Sequence, residues 1–116
     1  MTKKLIKATP EELIGSSFAA DLVVSYESLV KHFGQPNDRT KEGPWKSGDG
    51  KIKAEWSFKK SKNSKAVITI YDYKDQRLVE EIDDWHVGKK GNIDVMKFLT
   101  EYLPKFTIII THQNHK

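Results

Sequence analysis

Residues 51–59 read Lys-Ile-Lys-Ala-Glu-Trp-Ser-Phe-Lys, with an apolar side chain at every second position. This alternation predicts a β-strand that turns one face to the core and the other face to water. Residues 66–73 predict a second strand, and the lysine-rich residues 60–65 between the two strands predict a hairpin loop. The sequence therefore predicts an antiparallel hairpin over residues 51–73.

Helix signals lie on both sides of this hairpin. Residues 9–12 form a capping box that opens a short helix, and Ser25 is a suitable N-cap for a helix over residues 26–33. Asn92 is the predicted N-cap of a further helix over residues 93–103. The last two segments are the main helices that we expect.

Other apolar or β-branched segments predict the remaining strands, at residues 18–24, 78–82, 85–87 and 106–111. The combination predicts an α+β fold, a mainly antiparallel sheet of about four to six strands with two main helices packed on one face. Because no linker divides the chain, residues 1–116 are expected to form a single domain, with residues 1–8 and 112–116 flexible. At a sheet edge, the last strand would favour pairing with a second copy, so a homo-oligomer is a possible assembly.

Composition excludes several functional classes. The 116 residues contain no Cys, which excludes disulfides, thiolate metal sites and cysteine nucleophiles. No apolar run approaches the ~18 residues of a membrane span, and the sequence has no signal-peptide pattern. A cytoplasmic protein without membrane contact is expected. The formal net charge of +4 gives a mild preference for an anionic partner.

The residue types of enzymes and metal sites are poorly arranged. Asp83 and Asp84 precede one histidine, but adjacent strand residues point to opposite faces, and a solvated acidic turn is the favoured interpretation. No serine lies in a nucleophile-elbow pattern. The histidines do not have metal-ligand spacing: His32, His86, His112 and His115. We therefore expect a protein that is not an enzyme and that uses no cofactor and no metal.

A basic, glycine-flanked segment is the first candidate binding element. Gly88-Lys89-Lys90-Gly91-Asn92 is expected to be a tight turn that leads into a helix. Backbone N–H groups and the helix dipole favour anions at such a position, and the two lysines add positive charge. The segment predicts a phosphate site, with an ordinary turn into a capped helix as the alternative.

Aromatic side chains are the second candidate element. Tyr71 and Tyr73 face away from the isoleucines of their strand, so one of the two is expected to be exposed. An exposed ring flanked by lysines fits a nucleotide pocket, a platform for single-stranded nucleic acid or a protein interface. The predicted ligand-binding residues are Tyr71, Tyr73, Trp85, His86, Gly88, Lys89, Lys90 and Asn92.

Four motifs taken together resemble small accessory proteins encoded by bacteriophages and other large DNA viruses. The resemblance spans residues 25 to about 103, which is most of the chain. Its motifs are Phe33-Gly34-Gln35-Pro36, Asp49-Gly50-Lys51-Ile52-Lys53-Ala54-Glu55-Trp56, Thr69-Ile70-Tyr71-Asp72-Tyr73-Lys74 and Trp85-His86-Val87-Gly88. The resemblance implies a viral protein that acts in the host cytoplasm by binding and blocking a target. It carries no active site over to this chain, and Lys89 stands where a second glycine is expected.

The leading functional hypothesis is a non-enzymatic viral accessory protein that counters host defence. It would sequester a phosphorylated or nucleotide signalling ligand, or it would mask a host protein through a surface aromatic such as Tyr73 or Trp45. The alternative is a single-stranded nucleic-acid-binding protein that uses the aromatics and the hairpin lysines Lys59, Lys60, Lys62 and Lys65. The scarcity of arginine, limited to Arg39 and Arg77, weighs against nucleic acid.

Overall fold

The computed structural model describes residues 5–46, 48, 50–105 and 107–111. These residues build one sheet in which all the pairings are antiparallel, in the order β1-β4-β5-β6-β2-β7, with β3 also paired to β4. The strands are β1 (Ile6–Lys7), β2 (Ser17–Val23), β3 (Asn37–Asp38), β4 (Ala54–Lys59), β5 (Val67–Tyr71), β6 (Asp84–Lys90) and β7 (Ile108–Thr111). The α+β prediction is confirmed. The count of seven exceeds the expected range because β1 and β3 have only two residues each and give no pattern to detect.

The two helices are α1 (Tyr26–Phe33) and α2 (Val95–Tyr102). The predicted cap of α1 is confirmed, because the Ser25 hydroxyl accepts a hydrogen bond from the Ser28 amide at 3.1 Å. The predicted cap of α2 is wrong. Asp94 takes that role, since its carboxylate accepts from the Lys97 amide at 3.1 Å, and the helix begins at Val95.

Both helices pack on the same face of the sheet, as predicted. Leu29 of α1 and Phe98 of α2 belong to one apolar cluster with the sheet residue Ile70. Trp56 and Trp85 meet edge to face at 5.3 Å in this cluster. Their indole N–H groups donate to the backbone oxygens of residues 34 and 24, so the most voluminous core side chains have their polar atoms satisfied.

The opposite face of the sheet, which we call the outer face, carries Glu55, Thr69, Tyr71 and His86. Register places them together, because Tyr71 lies opposite both Glu55 and His86 on its neighbouring strands. The prediction that β4 has a face in water is wrong, since all six of its residues are buried. Residues 8–16 and 37–39 cover this side of β4, with the Lys59 ammonium 2.6 Å from the Glu12 carboxylate.

Residues 9–16 keep their shape through the predicted capping box. The Thr9 amide donates to the Glu12 carboxylate at 2.8 Å, and the Glu12 amide donates to the Thr9 hydroxyl at 3.3 Å. A 3-10 helix, Glu11–Leu13, follows. The capping box is therefore confirmed, and it fixes the segment that covers the outer face.

Several segments differ from the prediction in detail. The expected strand at residues 78–82 is instead a 3-10 helix, Val79–Glu81, with Leu78 exposed. The sequence predicts that residues 1–8 are flexible, but residues 6–7 form β1 and Ala8 is buried. Residues 112–116 and Phe106 lie outside the described residues. Across the described ranges, no helix has the length and apolarity needed to cross a membrane.

Candidate functional site

A cleft of about 360 Å³ opens on the outer face. Strands β4 and β5 form its floor, and residues 10–18 and 39–45 form its walls. It is lined by Pro10, Leu13, Ile14, Ser16, Ser17, Phe18, Arg39, Pro44, Trp45, Ile52, Glu55, Thr69, Tyr71 and Tyr73. The cleft exists because two segments distant in sequence lie over the same hairpin, the one identified from its alternating pattern.

The floor holds a buried carboxylate. Glu55 is only 4% exposed, and its two oxygens accept hydrogen bonds from Arg39 Nη1 and from the Thr69 hydroxyl. Burial raises the pKa of the Glu55 carboxyl, although the bonds from Thr69 and Arg39 act in the opposite direction. The cost of removing the charged carboxylate from water thus exceeds the stabilisation that Thr69 and Arg39 give it. The carboxylate can still accept hydrogen bonds from further N–H or O–H donors.

An aromatic cluster adjoins this carboxylate. The His86 ring stacks on Tyr71 at 5.7 Å and meets Tyr73 edge to face at 5.8 Å. Phe18 approaches the same imidazole at 5.2 Å. Burial raises the pKa of the Tyr71 hydroxyl, so this group stays protonated at neutral pH and can donate a hydrogen bond.

Tyr73 is the exposed member of the cluster and has two lysines beside it. Its side chain is 43% exposed, and the ammonium groups of Lys51 and Lys74 lie 5.8 Å and 5.5 Å from its ring centroid. A backbone hydrogen bond of 2.8 Å from the Lys74 amide to the Lys51 carbonyl holds the lysines together. The result is an exposed ring with positive charge at the edge of the cleft.

Lys74 also has an unusual backbone. Its φ of 56° lies in the left-handed region, which costs a residue with a side chain roughly 1–2 kcal/mol. Backbone strain of this kind is concentrated at functional sites. The chain thus accepts a conformational cost at the position that brings the second lysine to Tyr73.

Trp45 supplies an aromatic side chain to the cleft wall. Its loop is held by a hydrogen bond of 3.1 Å from the Lys46 amide to the Gly43 carbonyl and by an ion pair of 3.4 Å between Lys46 and Glu42. The other two tryptophans are buried on the helix side of the sheet. Trp45 is therefore the tryptophan whose surroundings a ligand in the cleft would change.

The structure brings together part of the predicted site. Tyr71, Tyr73 and His86 form the aromatic cluster, and Gly88 lies next to it. A Cβ at Gly88 would stand 3.0 Å from the Thr69 methyl carbon and 3.5 Å from a ring carbon of Tyr71, so the missing side chain permits close strand packing. These four residues share the outer face.

Trp85 does not belong to this site. It is 1% exposed and lies in the core on the helix side, because neighbouring residues of a strand point to opposite faces. The prediction that names Trp85 among the rings that could stack on a ligand is wrong.

The predicted phosphate turn is also absent. Gly88, Lys89 and Lys90 are residues of β6, and the turn follows at Gly91, where φ is 86°. The Lys90 ammonium donates to the Glu12 carbonyl at 3.3 Å, and that of Lys89 to the Ile93 carbonyl at 3.5 Å. Asn92 is exposed and lies three residues before Val95, where the helix begins. Helix α2 begins five residues after Lys90, so its N-terminus does not directly follow the two lysines.

Sequence reasoning missed the residues that give the cleft its polar character. The alternating pattern of residues 51–59 predicts that Glu55 is exposed to solvent, and Arg39 lies in a polar segment that predicts a loop. Nothing in the sequence therefore indicated that these two side chains meet. Lys51 and Lys74 flank the two strands of the hairpin. Their proximity follows from the antiparallel pairing and was available from the sequence.

No protein-family model, curated protein or solved structure matches this chain. Within the described ranges, no group of three or more His, Cys, Asp or Glu side chains is arranged to hold a metal ion. The chemistry of the cleft is therefore the feature from which a function can be inferred.

Proposed function

We propose that the protein binds a nucleotide-type ligand in the outer-face cleft and sequesters it without chemical conversion. The observation that carries this proposal is the exposed Tyr73 ring, which has the Lys51 and Lys74 ammonium groups within 6 Å of its centroid. An aromatic ring is a stacking surface for a base, and ammonium groups beside it attract phosphate. The two requirements of a nucleotide meet at one end of the hairpin.

The remaining lining residues support the same ligand class. Trp45 and Tyr71 extend the aromatic surface, and a volume of about 360 Å³ lies within the range of small-molecule sites. The Glu55 carboxylate is engaged by Arg39 and Thr69, an arrangement suited to holding a ligand. We therefore propose binding, with base stacking and phosphate attraction as its main contributions.

The biological role that we propose comes from the sequence resemblance to viral accessory proteins. A small protein that removes a nucleotide second messenger would counter host defence by stoichiometric capture. This role requires an affinity high enough to compete with the host receptor of that messenger, so a dissociation constant well below micromolar is expected for the true ligand.

Titration of the full chain with nucleoside monophosphates, followed by tryptophan fluorescence and calorimetry, tests the binding proposal. Tyr73→Ala should weaken binding about 5-fold to 150-fold, because stacking contributes about 1–3 kcal/mol per base. The double variant Lys51→Gln/Lys74→Gln should lower the affinity for nucleotides that carry phosphate and leave the affinity for free nucleosides unchanged.

The matched control combines Lys31→Gln with Lys97→Gln, which removes the same charge from exposed helix positions. It should leave affinity within about twofold of the native value, since the helices pack on the other face of the sheet from the cleft and exposed charges are screened by salt. Equal losses in the two double variants would assign the effect to net charge and refute the site. Absence of nucleotide binding at millimolar concentration would refute the proposal.

A protein target is the second candidate, and an apolar strip on the outer face favours it. Phe18 is 44% exposed, Val23 37%, Ile108 55% and Ile110 51%. Val23 and Ile108 are direct partners in the β2–β7 pairing, and Asp21 lies opposite Ile110, so these apolar side chains form neighbouring rows with one acidic residue among them. Ile110→Lys should abolish capture of a host protein and leave nucleotide affinity unchanged, which separates this candidate from the first.

Single-stranded nucleic acid is less well supported. The hairpin lysines at residues 59–65 and Tyr73 lie at opposite ends of the β4–β5 hairpin, about 20 Å apart by strand length. Lys59 is moreover buried and paired with Glu12. A steep loss of oligonucleotide affinity between 50 and 200 mM salt is what this alternative requires.

A further inference from the structure

The floor of the cleft offers a hydrogen-bonding pattern that can distinguish one base from another. Glu55 is an acceptor there and Arg39 is a donor, and both side chains line the cleft. The carboxylate has about four lone-pair positions, of which Arg39 and Thr69 use one each. Its raised pKa reports that burial is incompletely offset, so additional donors from a ligand would be favourable.

Purine bases differ in what they present to such a pair. Guanine carries two adjacent N–H donors, at N1 and N2, beside the O6 acceptor. Adenine carries one amino donor beside the N1 acceptor, and an acceptor directed at a carboxylate is repelled. A carboxylate flanked by a guanidinium therefore matches the guanine edge, with the carboxylate on the two donors and the guanidinium on O6.

We propose that the cleft selects guanine nucleotides over adenine nucleotides through Glu55 and Arg39. This inference rests on the function proposed above and names the base of the ligand. The Glu55 carboxylate accepts hydrogen bonds from the N1–H and N2–H groups of guanine, and the Arg39 guanidinium donates to O6. The aromatic rings of Tyr71 and Tyr73 contribute stacking that does not depend on the base.

Competition between GMP, IMP and AMP on the full chain tests the proposal without any substitution. GMP should bind about 10-fold to 100-fold more tightly than AMP, the ratio that a bidentate contact supplies. IMP keeps N1–H and O6 but lacks the 2-amino group, so its affinity should lie between the two. Equal affinities for GMP and AMP would overturn guanine selection while the binding function stands. If none of the three nucleotides binds, both proposals fail.

Glu55→Gln supplies the residue-level test, since glutamine has the same length but presents only one acceptor and an amide donor. The variant should lose most of the preference for GMP, with AMP affinity changed less than twofold. Glu27→Gln, an exposed position on α1, is the matched control and should keep the preference. An unaltered GMP-to-AMP ratio in Glu55→Gln would overturn the assignment of Glu55. Circular dichroism of each variant verifies that the fold is retained.

Discussion

Replacement of Arg39 by Met tests the electrostatic structure of the cleft floor. The side chains of Glu55 and Arg39 are only 5% and 18% exposed, so the substitution leaves a carboxylate out of water with the Thr69 hydroxyl as its remaining side-chain donor. Removal of one partner from a buried ion pair costs about 3–5 kcal/mol. Because Arg39 retains some exposure, we expect the lower end, about 3 kcal/mol.

This loss is large for a chain of 116 residues. With an unfolding entropy of about 2 cal/mol/K per residue, it corresponds to a fall in Tm of about 12 °C. Urea denaturation at pH 7, followed by circular dichroism, measures the free energy of unfolding directly. Lys46→Met, which breaks the exposed pair with Glu42, is the matched control and should cost less than about 1 kcal/mol.

The effect of Arg39→Met should depend on pH with a definite sign. Burial already holds the pKa of Glu55 above its ordinary value, and loss of the guanidinium raises that pKa further. When folding raises the pKa of a carboxyl group, the folded state holds the proton more tightly than the unfolded state does. The free energy of unfolding therefore falls as the pH rises from the unfolded-state pKa, near 4.5, towards the higher folded-state pKa. The loss of unfolding free energy in Arg39→Met, relative to the native protein, should therefore be smallest near pH 4 and should grow towards pH 7.

A double variant completes the test. Arg39→Met with Glu55→Gln removes the buried charge and should recover most of the lost free energy, to within about 1 kcal/mol of the native protein. If the unfolding free energy of Arg39→Met lay within about 0.5 kcal/mol of the native value at pH 7, Glu55 would not depend on Arg39 as a buried ion pair. The same conclusion would follow if the double variant were as unstable as the single variant.

Three further predictions concern other parts of the molecule. Lys74→Gly should raise the free energy of unfolding by about 1 kcal/mol in urea denaturation, because glycine adopts a positive φ without the side-chain penalty. Trp85→Phe should lower it by about 1–3 kcal/mol in urea denaturation, since the Val24 carbonyl loses its indole donor. Hydrogen bonds from Arg77 lower the pKa of Asp75 to about 2, so this pair stabilises the fold above about pH 4 and ceases to do so as pH falls towards 2. Arg77→Gln should shift the acid-unfolding midpoint to higher pH, and NMR titration of Asp75 should show its pKa return towards the ordinary value.

Local signals in the sequence were sufficient for much of the fold. The range of α1, its Ser25 cap and the alternating hairpin strands depend on residues within a few positions of one another. Parity along a strand is a further local signal, and it forbids Trp85 and His86 from sharing a face. Applied strictly, that rule separates the buried tryptophan from the tyrosine cluster on the sequence alone.

The cleft itself depends on contacts between residues far apart in the chain. Glu55 is buried by Arg39 and by the 9–16 segment, and an alternating pattern carries no information about a cover that comes from elsewhere. The start of α2 was missed for a different reason. Asn92 and Asp94 are both good caps, and the tight turn at Gly91 precedes a helix that starts only at Val95.

Strand β4 joins the two halves of the molecule, since Trp56 on one side belongs to the core and Glu55 on the other forms the cleft floor. The floor therefore belongs to a strand whose residues are all buried, which limits the local motion open to it. A preorganised floor spares the ligand the entropic cost of ordering it. In the site that we propose, the packing of Trp56 and the position of Glu55 are linked, because the two residues are neighbours on the backbone of β4. Selection for ligand discrimination would thus constrain residues that never touch the ligand.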